Sequence, residues 1–203
     1  MQPYFFPYLG YYKLLSCVDS FVIFDNAQFP RRGRVHRFQA TVRETKQWCT
    51  LPLNKAEIET KISEISINMG AGENFLKSLE KFPFVWKSIN DDCRLKETIW
   101  NFKDSLVEYL FLQLEYVHRV NNFKSKIYFA SEILERGDLV YQEYIFEIGR
   151  RLGTNQYVNL AGGVNLYSES EFHLNNFEIK FLPRYLGSGT TILENVSLLR
   201  PEI

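Results

Sequence analysis

The sequence has no excess of charge of either sign: 24 lysines and arginines balance 24 aspartates and glutamates. Such a chain lacks bulk attraction for nucleic acid or an anionic bilayer, and only a local patch is left for that work. Neither nucleic acid nor membrane is expected as a partner. Cysteine is scarce and odd in number, at three, and Cys17, Cys49 and Cys93 follow no zinc spacing. Reduced thiols used as small core residues, in a reducing compartment, fit best. His36, His118 and His173 have no metal-ligand spacing either, so no metal and no cofactor is expected. Long apolar runs are missing: nothing approaches the roughly 20 residues that span a bilayer. The start has no basic segment, and Pro3 and Pro7 interrupt any apolar stretch of a signal peptide. These absences together make a cytoplasmic protein the expectation.

What is present is a folded composition. Hydrophobic residues make up 45% and charged residues 24% of 203 residues, enough for a single domain over residues 1–203 with a real core. Tyr11, Leu14, Leu15 and Val18 recur at helical spacing, and "FVIFD" (Phe21 to Asp25) reads as a buried strand ending in a carboxylate. "RVHRFQATVR", "WCTLPL", "EISIN", "KIYFAS", "QYVNL" and "FEIKFLP" read as further strands. The middle is helical. Phe75, Leu76, Leu79 and Phe82 form one stripe, ended by Pro83. Ile99, Phe102, Leu106, Leu110, Leu114 and Val117 form a longer one. Tyr141, Tyr144, Ile145, Ile148 and Leu152 make a third, closed by Gly153 as a C-cap. Ser168 with Glu171 forms a capping box for a short helix. Strands and helices alternate at both ends, so the expectation is an α/β fold. It has a partly parallel sheet, flanking helices and a helical insertion at roughly 70–120.

Four stretches bear on chemistry. "QPYFFPYLGYYKLL" is dense in rings at a terminus, where chains usually fray. It reads either as core or as the wall of a sugar or nucleotide pocket, with Gln2, Tyr4, Tyr8, Tyr11 and Tyr12 as polar handles. "DNAQFPRRGRVHR" sets Arg31, Arg32, Arg34 and Arg37 close behind Asp25. That is either a solvated hairpin or a set of bidentate partners for phosphate. In "NLAGGVNLYSES", Gly162 and Gly163 allow close backbone approach to a ligand, although neither a Walker loop nor a G-x-G-x-x-G is present. "LGSGTTILE" lacks the lysine of a phosphate loop and reads as a turn.

The order of these pieces resembles the WbqC-like protein family of bacteria over nearly the whole chain. The Q-P-Y-F-F-P-Y-x-G-Y start and the Y-x-N-x-x-G-G-x-x-L-Y segment carry the likeness most strongly. Family members usually place a short strand before the Q-P motif, with which this chain opens directly. In the basic segment Gly33 and Arg37 match the family's R-G-W-I-N-R-N-R, whereas His36, Phe38 and Gln39 do not. Leu160 stands where a proline is usual, and the closing "NVSLLRPEI" matches loosely.

The resemblance implies a role in surface-polysaccharide (O-antigen) biosynthesis: an acyl or aminoacyl (glycyl-type) transferase acting on a nucleotide-linked amino sugar. Its partners would be that small molecule and an activated acyl donor. Arg32 and Arg37 would hold phosphates. Asp25 would orient the amine or act as base. Asn159, Gly162 and Gly163 would supply hydrogen bonds to the acyl donor or to an oxyanion, Tyr167 would be a further substrate-binding residue, and Gln2, Tyr4, Tyr8 and Tyr11 would line a crevice shared with Asp25 and the arginines. No Ser-His-Asp or Cys-His arrangement is legible, which favours direct transfer from the donor. Two alternatives remain open. "FPYLGYYKLL" faintly resembles the P-x-x-H-x-G-H start of adenylate-forming and nucleotidyl-transferring enzymes, without either histidine. A non-catalytic nucleotide-sugar binding subunit is the other.

Overall fold

The computed structural model describes residues 1–135, 137–139 and 141–194. The Tyr141 side chain and the closing "NVSLLRPEI" lie outside the described residues. In chain order the elements are α1 (Leu9–Ser16), β1 (Ser20–Ile23), β2 (Arg37–Val42), β3 (Thr45–Thr50), α2 (Gly72–Ser78), α3 (Pro83–Asp91) and α4 (Cys93–Trp100). There follow α5 (Leu106–Val120), β4 (Lys126–Phe129), α6 (Ala130–Ile133), α7 (Tyr141–Arg151), β5 (Gln156–Leu160), α8 (Glu169–Leu174) and β6 (Glu178–Leu182). The class is α/β, with small parallel sheets and flanking helices. The chain divides into two compact units interleaved in sequence. Among the described residues, the first comprises Met1, Gly10–Asn26 and Lys124–Gly187; the second comprises Gln2–Leu9, Ala27–Phe123 and the described residues from Ser188.

In the first unit β1 pairs with β4 in parallel, Ser20 opposite Lys126 through Ile23 opposite Phe129. β5 pairs with β6 in parallel, Gln156 opposite Glu178 through Leu160 opposite Leu182. β1 is not buried on both faces, as its apolar run suggested. Phe21 and Ile23 are buried, and Val22 is only partly so, packed with Phe24 beside Ala130, Tyr144 and Ile148. A two-stranded pair has too little neighbouring structure to cover both faces. α1 buries Tyr11, Tyr12, Leu14 and Leu15, and the Tyr11 ring meets Phe21 edge-on at 5.6 Å. Past α7, Gly153 takes φ +69°, its N–H donating to the Arg150 carbonyl and that of Thr154 to Gly149, which is the glycine stop expected.

The capping box at α8 does not form. Ser168 occupies the N-cap, but its hydroxyl pairs with Ser170. The Gln142 amide, from α7, takes both groups the box would join: its Oε1 accepts from the Ser168 N–H at 3.2 Å, and its Nε2 donates to Glu171. A tertiary partner that satisfies both ends displaces the local motif.

The second unit holds the β2–β3 hairpin and the helices α2 to α5. Arg43 and Glu44 both have positive φ, the turn geometry that suits the twist of a two-residue hairpin. Phe38 and Ala40 face inward, and the Phe5 ring packs against Phe38 at 5.1 Å, Phe75 at 6.0 Å and Tyr109 at 6.3 Å. The long stripe from Ile99 to Val117 is two helices. Ser105 caps α5 through the Glu108 N–H, and the break lets Leu106 N–H reach the Ile65 carbonyl and Asp104 carbonyl the Ile67 N–H. "EISIN" makes isolated bridges, Leu53 to Ile67 and Ser66 to Ser105, rather than a strand. Pro83 opens α3 at its first turn, where its missing N–H costs nothing.

The opening rings are held chiefly by packing. Phe5 N–H donates to the Arg34 carbonyl, the Thr191 hydroxyl donates to the Phe6 carbonyl at 2.7 Å, and Ile192 N–H donates to the Pro7 carbonyl. Phe6 sits at φ +36°, a left-handed conformation costing a bulky residue about 1–3 kcal/mol. The anchors at Phe6 and Pro7 come from the "LGSGTTILE" segment, which bends at Gly187 and Thr190 and runs into a short 3-10 winding at Ile192–Glu194. Of the cysteines, Cys49 alone is buried, its thiol pushed up to about 12 by desolvation. Cys17 and Cys93 are exposed, against the expectation that all three are core residues. Among the described residues no helix is long and apolar enough to cross a membrane.

Candidate functional site

In the first unit, polar side chains gather where the parallel strands end. Asp25 lies two residues past β1 and is buried. Its Oδ1 accepts from the Ser131 N–H at 3.1 Å and its Oδ2 from the Ser131 hydroxyl at 2.5 Å. Ser131 stands just past β4, so the register of β1 on β4 brings donor and acceptor together. Asn26 donates to the Tyr144 hydroxyl at 2.5 Å, which turns on to the carbonyls of Leu134 and Ala130 at 2.6 and 3.0 Å. The Asn26 Oδ1 is buried with no partner among the described residues.

The carboxyl end of β5 carries a second group. Asn159 is buried; its Oδ1 accepts from the Leu160 N–H at 2.8 Å, and its Nδ2 donates to the hydroxyls of Tyr167 and Tyr157 at 3.1 and 3.3 Å. The two hydroxyls are themselves 2.9 Å apart. The chain then winds through Ala161–Leu166. A methyl group on Gly163 would lie 2.8 Å from Asn159 Nδ2 and 3.2 Å from Tyr167 Cε2, so only glycine lets the backbone pass. At exposed Gly162 a methyl group would meet nothing within 4 Å. Glycine there is required neither by packing nor by a left-handed backbone.

In the second unit the arginines differ in their partners. Arg31 donates to the Ala56 carbonyl at 2.6 Å, and Arg32 is exposed. Arg37 donates through Nε to the Gly33 carbonyl at 3.0 Å and through Nη2 to that of Arg32, and its guanidinium lies 4.2 Å over the Trp48 ring. Arg34 donates to the Gly189 carbonyl at 3.0 Å and to Gln39 Oε1 at 3.3 Å, and stands over Tyr8 at 5.4 Å and Trp48 at 5.5 Å. His36 is buried beside Phe29, with its Nδ1 unpartnered among the described residues. Burial first, and the Arg37 charge second, lower its pKa to about 4.

Thus Asp25, Tyr11, Asn159, Gly162, Gly163 and Tyr167 belong to the first unit, and Gln2, Tyr4, Tyr8, Arg32 and Arg37 to the second. The structure gathers Asn159, Gly163 and Tyr167, and it joins Tyr8 to the arginine segment through Arg34. Tyr11 is packed in the core, while Gln2 and Tyr4 are half-buried. Sequence reasoning passed over Ser131, Tyr157 and Trp48. For Tyr157 a signal existed, since it begins the same Y-x-N pattern that pointed to Asn159. No group of three histidines, cysteines or acidic residues that could hold a metal ion occurs among the described residues.

An α/β protein with polar groups at the carboxyl ends of parallel strands is a frame for ligand binding. The chain belongs to the WbqC-like protein family, whose pattern matches residues 2–186. It is also 32% identical over 69 residues to the uncharacterized protein Rv1507c of Mycobacterium tuberculosis, a match covering 34% of this chain and 30% of that relative. No solved structure matches the chain.

Proposed function

We propose that this protein transfers an acyl or aminoacyl group to a nucleotide-linked amino sugar in the synthesis of a surface glycan such as O-antigen. The observation that carries the reading is Gly162: an exposed glycine beside the buried Asn159–Tyr167 cluster, needed by neither packing nor backbone conformation. A backbone kept bare there is open to a ligand, and its N–H is a donor for the oxygen of an acyl carbonyl. Family membership supports the substrate class, and the arginines of the second unit support the phosphates.

In the reaction the sugar amine attacks the carbonyl carbon of an activated donor. A C–N bond forms, the bond to the leaving group breaks, and the amine loses one proton. Asp25 receives that proton or orients the amine, Arg32 and Arg37 hold the diphosphate, and Gln2, Tyr4 and Tyr8 contribute polar contacts. Asn159 and Tyr167 position the glycine segment, since the Asn159 amide is already committed to Leu160, Tyr157 and Tyr167. The work is placed in the cytoplasm, where nucleotide sugars are made.

The test is mass-spectrometric detection of acyl transfer onto UDP-, dTDP- and GDP-amino sugars, chosen by thermal shift. A ligand at 100 times its Kd adds about 2.7 kcal/mol of stability. Gly162→Ala should keep or slightly raise the melting temperature and lose turnover. Failure of every nucleotide amino sugar to bind folded protein would refute the reading. One observation favours a second reading, a non-catalytic nucleotide-sugar binding subunit: both carboxylate oxygens of Asp25 are already taken by Ser131. Binding without turnover, with any plausible donor, would select it.

A further inference from the structure

We propose that the outer face of the β2–β3 hairpin is a platform for a nucleoside diphosphate. Trp48 stacks the base, and Arg34 joins the Arg32–Arg37 pair of the proposed function at the diphosphate, with Arg37 the nearest to the ring. The proposal rests on the nucleotide-linked acceptor inferred above and gives its nucleotide half a place within the second unit.

The pairing of the strands dictates the face. Gln39 lies opposite Trp48, and Arg37 precedes Gln39 by two residues, so all three side chains leave the same side of the pleat. Phe38, Ala40 and Cys49 leave the other side and are buried. Trp48 is nevertheless 40% exposed, an unusual fate for a large ring beside a packed core.

Two guanidinium groups stand over this one ring, at 4.2 and 5.5 Å, and the second also covers Tyr8. Both are held by fixed acceptors. Arg37 is tied to the carbonyls of Gly33 and Arg32, and Arg34 to the Gly189 carbonyl and the Gln39 amide. A guanidinium has five N–H donors, so about three on each remain without a protein partner among the described residues.

Among the described residues neither guanidinium has an ion-pair partner. The ion pairs among the described residues lie elsewhere, at Arg119, Arg150, Arg151 and Lys180. Glu194 is held at Thr41, four residues further along β2 than Arg37, roughly 13 Å away at a strand's rise. Two fixed cations without an ion-pair partner among the described residues, beside a partly exposed indole, match a planar base joined to a diphosphate. On a protein of zero net charge, such a cluster is local rather than part of a general basic surface. Arg34, which departs from the tryptophan usual at that family position, is here the residue that spans both rings.

The experiment is calorimetric titration of the full chain with UDP, uridine and inorganic pyrophosphate. Trp48→Ala should weaken UDP and uridine by about five- to a hundred-fold and leave pyrophosphate nearly unchanged. Trp48→Phe should retain most of the affinity. Arg34→Ala should weaken UDP and pyrophosphate together, with Arg34→Lys recovering part of the loss. Melting curves confirm that each variant is folded. UDP affinity within twofold of wild type in folded Trp48→Ala, or no UDP binding by wild type, overturns the platform. UDP binding that depends on Trp48, with no acyl transfer to any amino sugar, supports the platform and sinks the transferase reading. Transfer that persists unaltered in Trp48→Ala does the opposite.

Discussion

Replacing Gly163 with alanine measures how rigid the Asn159–Tyr167 cluster is. The new methyl group would sit 2.8 Å from Asn159 Nδ2 and 3.2 Å from Tyr167 Cε2, both inside ordinary contact. Neither neighbour is a loose surface chain. The Asn159 amide is bonded on its oxygen and its nitrogen, and the Tyr167 hydroxyl takes part in two of those links. Overpacking of this kind costs about 1–3 kcal/mol. Gly162→Ala is the internal control, because nothing lies within 4 Å of its added carbon. There, loss of freedom in the unfolded chain should add about 0.4–1 kcal/mol of stability. Adjacent glycines are thus expected to respond with opposite signs, a difference of roughly 1.5–4 kcal/mol. Urea unfolding followed by far-UV circular dichroism reads it directly. Adding Asn159→Ala to Gly163→Ala should recover part of the loss, since it removes the tighter contact. If the two glycine variants unfold alike, the cluster yields at no cost and the claim that it fixes the glycine segment is wrong.

Three further outcomes are expected. Between pH 6.5 and 4 the protein should lose up to about 3 kcal/mol of stability, because folded His36 resists protonation down to about 4 whereas the unfolded residue accepts a proton near 6.5. The contribution is whole above pH 6.5, and urea titrations of His36→Gln should show this part of the slope gone; an unchanged slope would exclude His36 as its source. Tyr12→Phe should leave the melting temperature unchanged or raise it, since its buried hydroxyl has no partner among the described residues and its removal ends a desolvation cost of about 1–3 kcal/mol; a fall of several degrees would show that the hydroxyl is satisfied. Ser131→Ala should destabilise by about 1.5–3 kcal/mol, because its hydroxyl bonds an ionised carboxylate, and chemical denaturation that matches wild type would show the link to be dispensable.

Local pattern revealed the elements, and long-range pairing decided what they do. "QYVNL" and "FEIKFLP" were legible as strands because β-branched and aromatic residues recur there. Nothing local announces that β1 pairs with β4, some hundred residues downstream, or that Asp25 meets Ser131 across 106 positions. The Ile99–Val117 stripe misled because α4 and α5 keep the same apolar phase across their break, so periodicity runs on where the hydrogen bonds stop. The α8 cap failed for a related reason, since Gln142 approaches from another helix. At the site, Asn159 and the glycine pair stood out by type and spacing. Trp48 did not, because a single aromatic in a short strand is ordinary; its meaning lies in the two guanidinium groups that stand over it, Arg37 from the start of β2 and Arg34 from the segment before it.

The Asp25–Ser131 link narrows how any amine could be handled. Both carboxylate oxygens of buried Asp25 already accept a hydrogen bond from Ser131, and each charge-assisted bond is worth about 1.5–3 kcal/mol. Taking a proton while both bonds persist would leave the new hydroxyl without an acceptor in a buried place. The exchangeable partner is the Ser131 hydroxyl, which sits on an exposed residue and can rotate away, whereas the backbone N–H cannot. An incoming ammonium would then replace the hydroxyl on Oδ2, donor for donor, with the backbone bond still orienting the carboxylate. Asp25 would therefore act first by gripping the charged amine and then by taking one of its protons, while the second proton, lost as the C–N bond forms, departs with the leaving group. Replacing Asp25 with asparagine would keep an acceptor and lose the charge, so the two steps separate in the affinity for the amine and in the rate of transfer.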